Sequence, residues 1–276
     1  TNYIEKKKLE VATERQEELD SLNEMYCNVQ QDIDMAMHFD RRLFEKTRED
    51  EDFLHIYLGQ GTIASSRPID YKKQERLEVG DELTEMPEKI YQLFEHIDGA
   101  PICSDMKDSN AIGIVGTKEA LYGMFKNIVI DIAVRHYYGD VRLYMLVDDE
   151  KRYQWARFLP HLMNAGGIRN IVFDNESKNN IFESLFRELT YREQTEEIPY
   201  YGIVLVENEF GIKNHPISRY IEQASELGMT FVFFENSAEE LPLHCDEIIE
   251  LHSESEGVIC KAEDGNCLLY TSPSPR

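Results

Sequence analysis

The 276 residues, 42% apolar and 30% charged, suffice for one large or two small folded domains with a real core. With 53 acidic residues against 29 basic ones, the net charge of −24 excludes direct DNA or RNA binding as the main role, because neutralising phosphates takes Lys and Arg. No apolar run is long enough to span a membrane and no signal peptide is visible. The first residue is Thr, so a fragment of a longer chain is expected.

The chain opens on TNYIEKKKLEVATERQEELDSLNEMY, a charged helix without Gly or Pro whose apolar stripe (Ile4, Leu9, Val11, Leu19, Leu22) is thin. It reads as a protruding stalk. The Lys6-Lys7-Lys8 cluster fits either a solvated face or a juxtamembrane segment on the cytoplasmic side. A break is expected near Tyr26-Cys27-Asn28, with the helix resuming to about Met37.

Phe53, Ile56 and Leu58 mark a strand that should stop at Gly59. Gly59-Gln60-Gly61-Thr62-Ile63-Ala64 matches G-x-G-x-x-A, but Ser65-Ser66-Arg67-Pro68 follows instead of a helix. It is read as a turn, not a dinucleotide site. A helix is expected over Met86 to Ile97 and short strands over Pro101 to Cys103 and Ala111 to Val115. The strongest helix runs from Thr117 to about Tyr138, with Leu121, Phe125, Ile128 and Ile132 on one face. Strands follow at Val141 to Val147, Ile171 to Phe173, Ile203 to Val206, Met229 to Phe234, Glu247 to Leu251 and Gly257 to Cys260. Helices are expected near Lys151 to Phe158, after Ser177, and over Ile217 to Leu227. Strands separated by helices specify an α/β sheet flanked by helices. The closing NCLLYTSPSPR resembles translated read-through of a sequencing adaptor, so residues 267–276 are set aside as an artefactual tail.

Two stretches have the outline of nucleotide chemistry. AIGIVGTKEALYGMF is a strand, a Gly turn and a helix, with Gly116, Thr117 and Lys118 at the junction. A phosphate loop needs G-x-x-x-x-G-K-[ST]; here the turn is too short, and Glu119 stands where the metal-binding hydroxyl belongs. Thr117 as helix cap and Glu119 as dipole partner explain the same residues. IVLVENEF places Glu207 and Glu209 after an apolar strand, as acids near Mg²⁺ would be, yet without a cradle they have no phosphate to serve. No nucleophile motif and no H-E-x-x-H occurs. Cys27, Cys103, Cys245, Cys260 and Cys267 form neither a C-x-x-C pair nor a zinc spacing, which fits a reducing compartment and predicts no metal site. His136 is read as a packing or helix-end residue. Trp155, Phe158 and Leu159 fit a partner patch, with a core place for Trp155 as the alternative.

Taken together these segments resemble the FtsK/SpoIIIE-type motor of type VII secretion, the EssC/YukB/EccC family. The most specific piece is FDRRLFEKTREDEDFLHIYLGQG; Gly116-x-Lys118-x-x-Leu121, VRLYMLV with the Trp155 to Pro160 cluster, and FFENSAEELPLHCDEIIEL are also similar. The resemblance spans about residues 3 to 266. Phe44 stands where Trp is expected, and Cys27-Asn28 replaces a more usual Pro-Ser.

The resemblance implies an ATPase-like (RecA/FtsK-type) α/β domain over 39–266 with a degenerate nucleotide site, behind a juxtamembrane helical stalk over 1–38. It would be a noncatalytic module at the cytoplasmic face of the bacterial membrane, coupling membrane helices to downstream ATPase domains. ATP and Mg would be used only in those domains, so no catalytic residue, cofactor or metal is expected here. Gly116, Thr117, Lys118 and Glu207 are then degenerate positions, and Arg41 and Arg42 are candidate partner contacts. Expected partners are other membrane components of the system, further copies through the parent chain and, indirectly, exported proteins. The alternative is an active NTPase with a divergent loop, using Lys118 and Glu207; a free-standing enzyme is a third reading.

Overall fold

The computed structural model describes residues 2–69, 82–261 and 267–271. Helix α1 (Asn2–Met25) gives way at Tyr26–Asn28 to α2 (Val29–His38). Asn28 starts α2 with a capping box: its side chain accepts from the Gln31 N–H and the Gln31 side chain accepts from its own N–H. Phe39 ends α2 in the left-handed region, at φ 52°.

Strand β1 (His55–Ala64) pairs antiparallel with β2 (His96–Asp105), and α3 (Glu82–Phe94) lies between them in the chain. Then come β3 (Ala111–Val115), α4 (Lys118–Arg135), β4 (Val141–Leu146), β5 (Ile171–Val172), α5 (Asn175–Thr195), β6 (Tyr201–Val206), β7 (Met229–Glu235), β8 (Glu247–Leu251), β9 (Glu256–Lys261) and β10 (Cys267–Thr271). Among the described residues they form one sheet, ordered β2-β1-β10-β9-β8-β3-β7-β6-β4-β5. The six strands from β8 to β5 run parallel; the other four extend the sheet by antiparallel pairing.

Strands β3, β4, β6 and β7 are buried on both faces along most of their length, as strands between helical layers must be. On one face Leu121, Phe125, Ile128 and Ile132 of α4 pack on Ile112, Leu143, Ile203, Leu205 and Phe234. On the other, Ile181, Phe182, Leu185 and Leu189 of α5 pack on Tyr144, Val204, Val206 and Phe231. Burying each large apolar side chain is worth about 1.5–3 kcal/mol, so these two layers fix the register of the parallel body.

Several elements differ from the sequence reading. The strand at Phe53 to Leu58 does not stop at Gly59; β1 runs on to Ala64, with register shifts at Tyr57/Gly59 and Gly61/Ile63. The two glycines serve β-bulges within a paired strand. The stretch from Ile217 to Leu227 is 3-10 rather than α-helical, over Pro216–Gln223 and Ser225–Leu227. Asn110 Oδ1 takes both the Ser225 N–H (3.0 Å) and its hydroxyl (2.8 Å), drawing the segment out of an α ladder. Lys151 to Phe158 keeps only a 3-10 turn, Gln154–Phe158, and Pro160 holds Leu159 extended. Cys267–Thr271, left out of the fold on sequence, pairs with β9 and with β1.

Polar groups attach the N-terminal helices. Arg15 and Glu18 are buried in α1; Arg15 donates to the carbonyls of Phe94 and Arg67 (2.7 Å each), and Glu18 accepts from the Ser65 and Ser66 hydroxyls and the Ser66 N–H (2.6–2.7 Å). A thin apolar stripe is therefore no measure of how α1 is held. Arg135, at the end of α4, lies 3.9 Å from Asp32 of α2, pairs with Glu45 and donates to the Met25 carbonyl at 3.0 Å. Among the described residues no helix is long and apolar enough to cross a membrane.

Candidate functional site

In open parallel sheets, ligands bind beyond the carboxyl ends of the strands. Here that edge gathers Gly116 after β3, Asp148 to Arg152 after β4, Glu207 after β6 and Glu235 at the end of β7. The fold thus brings Glu207 to the same edge as the consecutive residues Gly116, Thr117 and Lys118, from which it is distant in sequence.

The turn between β3 and α4 is only Gly116 and Thr117. The Gly116 N–H, a donor that a phosphate loop would aim at its ligand, bonds the Glu235 carbonyl of β7 at 3.2 Å and extends the sheet ladder instead. Thr117 caps α4, its hydroxyl accepting from the Ala120 N–H at 3.4 Å. An ideal Cβ on Gly116 would lie 2.9 Å from Leu251 Cβ, so glycine here allows the close approach of β8. Lys118 and Glu119 are exposed on the first turn of the helix.

Glu207 is already engaged. Its carboxylate accepts from the Asp148 N–H at 3.2 Å and lies 3.9 Å from the Arg152 guanidinium. Arg152 in turn donates to the Lys118 carbonyl at 3.4 Å and stacks on Tyr122, 4.1 Å from the ring centroid. The Tyr122 hydroxyl donates back to the Arg152 carbonyl at 3.0 Å and receives the Trp155 indole N–H at 3.2 Å. A resident guanidinium therefore ties the start of α4 to the acid after β6. These residues do not fit a magnesium nucleotide: the loop is too short to wrap phosphate, its first N–H is spent, and the acid faces an internal cation. Among the described residues no group of three or more His, Cys, Asp or Glu is placed to hold a metal.

Beside Glu207, Glu209 pairs with Lys213, which also donates to the Glu240 carbonyl at 2.8 Å. Burial first, and then the charges of Glu209 and Glu240, push Glu235 up to about 7. The resulting field is anionic, unfavourable for a polyphosphate.

The other singled-out residues lie elsewhere. Arg41 is exposed; Arg42 is tethered to Asp40 by its own N–H at 2.9 Å and its Nε at 3.4 Å, and approaches Cys27 Sγ at 3.8 Å. His136 is buried, accepts from the Leu54 N–H at 3.1 Å and is pushed down to about 3 by burial, so it is neutral and packs. Trp155 is partly exposed and Phe158 is 74% exposed, which takes Trp155 out of the core. Sequence reasoning missed Arg152. Its signal was slight, the second of two cations, Lys151 and Arg152, that follow Asp148-Asp149-Glu150 at the end of a buried strand, and only the tertiary fold sets Arg152 opposite Glu207.

No family model matches the chain. The type VII secretion system protein EssC of Staphylococcus aureus (strain MSSA476) is 28% identical over 287 residues, which is 99% of this chain and 19% of that protein. The chain is homologous to the EssC/EccC proteins of type VII secretion. The ESX secretion system protein EccC of Geobacillus thermodenitrificans is 24% identical over 94% of this chain and 18% of its own length. The chain thus spans about a fifth of the curated relatives it matches. Among solved structures, EssC (ATPases 2 and 3) from Geobacillus thermodenitrificans superposes with a TM-score of 0.53 at 12% identity, over 85% of this chain and 47% of that one. The cytoplasmic domain of the Thermomonospora curvata type VII secretion ATPase EccC gives 0.50 at 11% identity, over 64% and 25%. At such identities the likeness is one of fold, and the fold is that of the EssC/EccC ATPase domains.

Proposed function

We propose that this chain is a noncatalytic, ATPase-like module of a type VII secretion motor, coupling the membrane region to downstream ATPase domains through protein contacts. The observation that carries this reading is Arg152, bridging the Lys118 carbonyl and the Glu207 carboxylate where a working site would place a metal and phosphates. The short turn and the spent Gly116 N–H agree with it. On this reading the module works at the cytoplasmic face of the membrane, its helices α1 and α2 pointing toward the membrane part. ATP and Mg act in other domains of the parent chain, and Arg41, exposed beside α2, is available to a neighbouring component.

The competing reading is an active NTPase, favoured by the strand–turn–helix of β3 and α4 with Glu207 on the same edge. Steady-state ATP hydrolysis by this chain with Mg²⁺ separates the two. The expected rate equals the buffer background and does not change in Lys118→Ala or Glu207→Gln. Turnover above background that both substitutions abolish would overturn the noncatalytic reading.

A further inference from the structure

Strand β5 closes one end of the sheet, and among the described residues no strand pairs with its outer side. The carbonyls of Asn170 and Val172 accept from the N–H groups of Met145 and Val147 at 2.9 Å each. Backbone groups alternate in direction along a strand, so the N–H and C=O of Ile171, which lies between them, point outward. The next outward N–H, that of Phe173, is taken by the Ser177 hydroxyl at 3.2 Å. An open edge of this kind is a template for a further strand.

A groove of about 500 Å³ runs beside this edge, between the 3-10 turn at Gln154–Phe158 and the first turns of α5. Its volume lies within the range of ligand-binding clefts, about 300–1,000 Å³. Part of its wall is apolar and faces water: Phe158 is 74% and Ile168 56% exposed, and Phe173 is exposed beside them. Neighbouring exposed apolar side chains of this size mark an interaction surface.

Charge says what covers it. Arg157 and Arg169 line the groove and make no ion pair among the described residues. Arg157 lies over the Phe158 ring, 4.5 Å from its centroid, and Arg169 donates its Nε to the Arg157 carbonyl at 2.8 Å. Each guanidinium keeps further N–H donors for an acceptor. Glu150 is the one carboxylate among the lining residues, so the groove carries excess positive charge on a chain of net charge −24.

We infer that the edge of β5 receives an extended, acidic and apolar segment of a protein partner. Its backbone pairs with Ile171, a large apolar side chain enters the groove against Phe158 and Ile168, and flanking Asp or Glu side chains meet Arg157 and Arg169. This rests on the reading of the domain as a protein-contact module and says where one contact is made and with what chemistry. Helix α1 packs on β2, at the opposite end of the sheet, so this contact does not compete with the N-terminal helices.

The test titrates the isotope-labelled chain with acetyl-Glu-Val-Phe-Val-Glu-amide, acetyl-Lys-Val-Phe-Val-Lys-amide and decanoate, following the backbone amides of 157–158 and 168–173 by NMR. Saturable shifts with the acidic peptide are expected, together with slower exchange of the Ile171 N–H. Replacing both arginines (Arg157→Gln with Arg169→Gln) should weaken that binding about fivefold. Reversing them (Arg157→Glu with Arg169→Glu) should transfer the preference to the basic peptide. Both residues are exposed, so resonances away from the groove should not move in either variant. No saturable shift, equal binding of the two peptides or an unchanged response in the Gln double variant would overturn the assignment. So would saturation by decanoate at a lower concentration than by the acidic peptide, which would name a free amphiphilic acid as the ligand. Movement of the same amides as the concentration of the chain alone is raised would overturn it by naming a second copy as the occupant. Since no nucleotide is involved, failure here is distinct from failure of the noncatalytic reading, which hydrolysis decides.

Discussion

Around Phe125, α4 packs on Phe234 of the sheet and on Tyr153 of the segment after β4, whose ring centroids lie 5.1 and 4.8 Å away. Further along the same helix, around Arg135, it meets α2 and the segment after it through one guanidinium, the buried carboxylate of Asp32 in α2 and the half-buried one of Glu45 beyond it. Apolar packing is cumulative and tolerates small losses. A buried charge cluster is brittle, because removing one partner strands the others. The parallel body is thus a scaffold, whereas the seat of the N-terminal helices can be detached by a single change.

That contrast is broken most severely at Arg135. Arg135→Met takes the cation from Glu45 and the donor from the Met25 carbonyl, should cost about 3–5 kcal/mol as the breaking of a buried ion pair does, and should release α1 and α2 first. Hydrogen exchange would then rise in residues 2–38 before the sheet. Phe125→Ala should cost a similar amount, about 3–5 kcal/mol, but unfold the chain as one unit in urea. Simultaneous loss of all protection in Arg135→Met would erase the distinction.

Next comes pH. Asp32 is raised from the carboxylate range to about 8 by burial first, then by the charge of Asp131, with Arg135 and Arg42 opposing and Glu45 adding to the rise. Asp131, which accepts from the Tyr57 N–H at 3.0 Å, is also raised by burial. A folded-state pKa above the unfolded value means a contribution fully present below about pH 4 and lost as pH rises toward about 8. Docking of α2 should therefore loosen as pH climbs through neutrality. Asp32→Asn should flatten that dependence, read from urea midpoints between about pH 5 and 9; an unchanged slope would show that Asp32 is not the titrating group.

Smaller effects test the other joints. Glu18→Ala should cost about 1.5–3 kcal/mol, the range for hydrogen bonds to a charged group, and raise exchange in α1 alone. Thr117→Ala should cost about 0.5–1 kcal/mol as a lost cap, at the low end because its bond is long at 3.4 Å. A larger loss would mean that the hydroxyl does more than cap.

What the sequence made legible follows the same division. The α/β class, strands β3, β6 and β7, and the stripe on α4 could be read because apolar periodicity reports burial directly. The shortness of the Gly116 turn was visible for a similar reason, since it depends on spacing alone. The joints made by polar groups were not legible. Arg15, Glu18, Arg135 and Arg152 look like ordinary surface charges in a chain with 30% charged residues, and only long-range contacts show which ones are buried or bridging. The bulged course of β1 was hidden likewise, since Gly59 and Gly61 read locally as punctuation while their pairing partners lie in β2.

Titration calorimetry of this chain with Mg-ATP tests the central claim most directly. With Arg152 between Lys118 and Glu207 and the Gly116 N–H in the sheet, no saturable heat is expected in the wild type or in Lys118→Ala. Micromolar binding in the wild type that disappears in Lys118→Ala would contradict it.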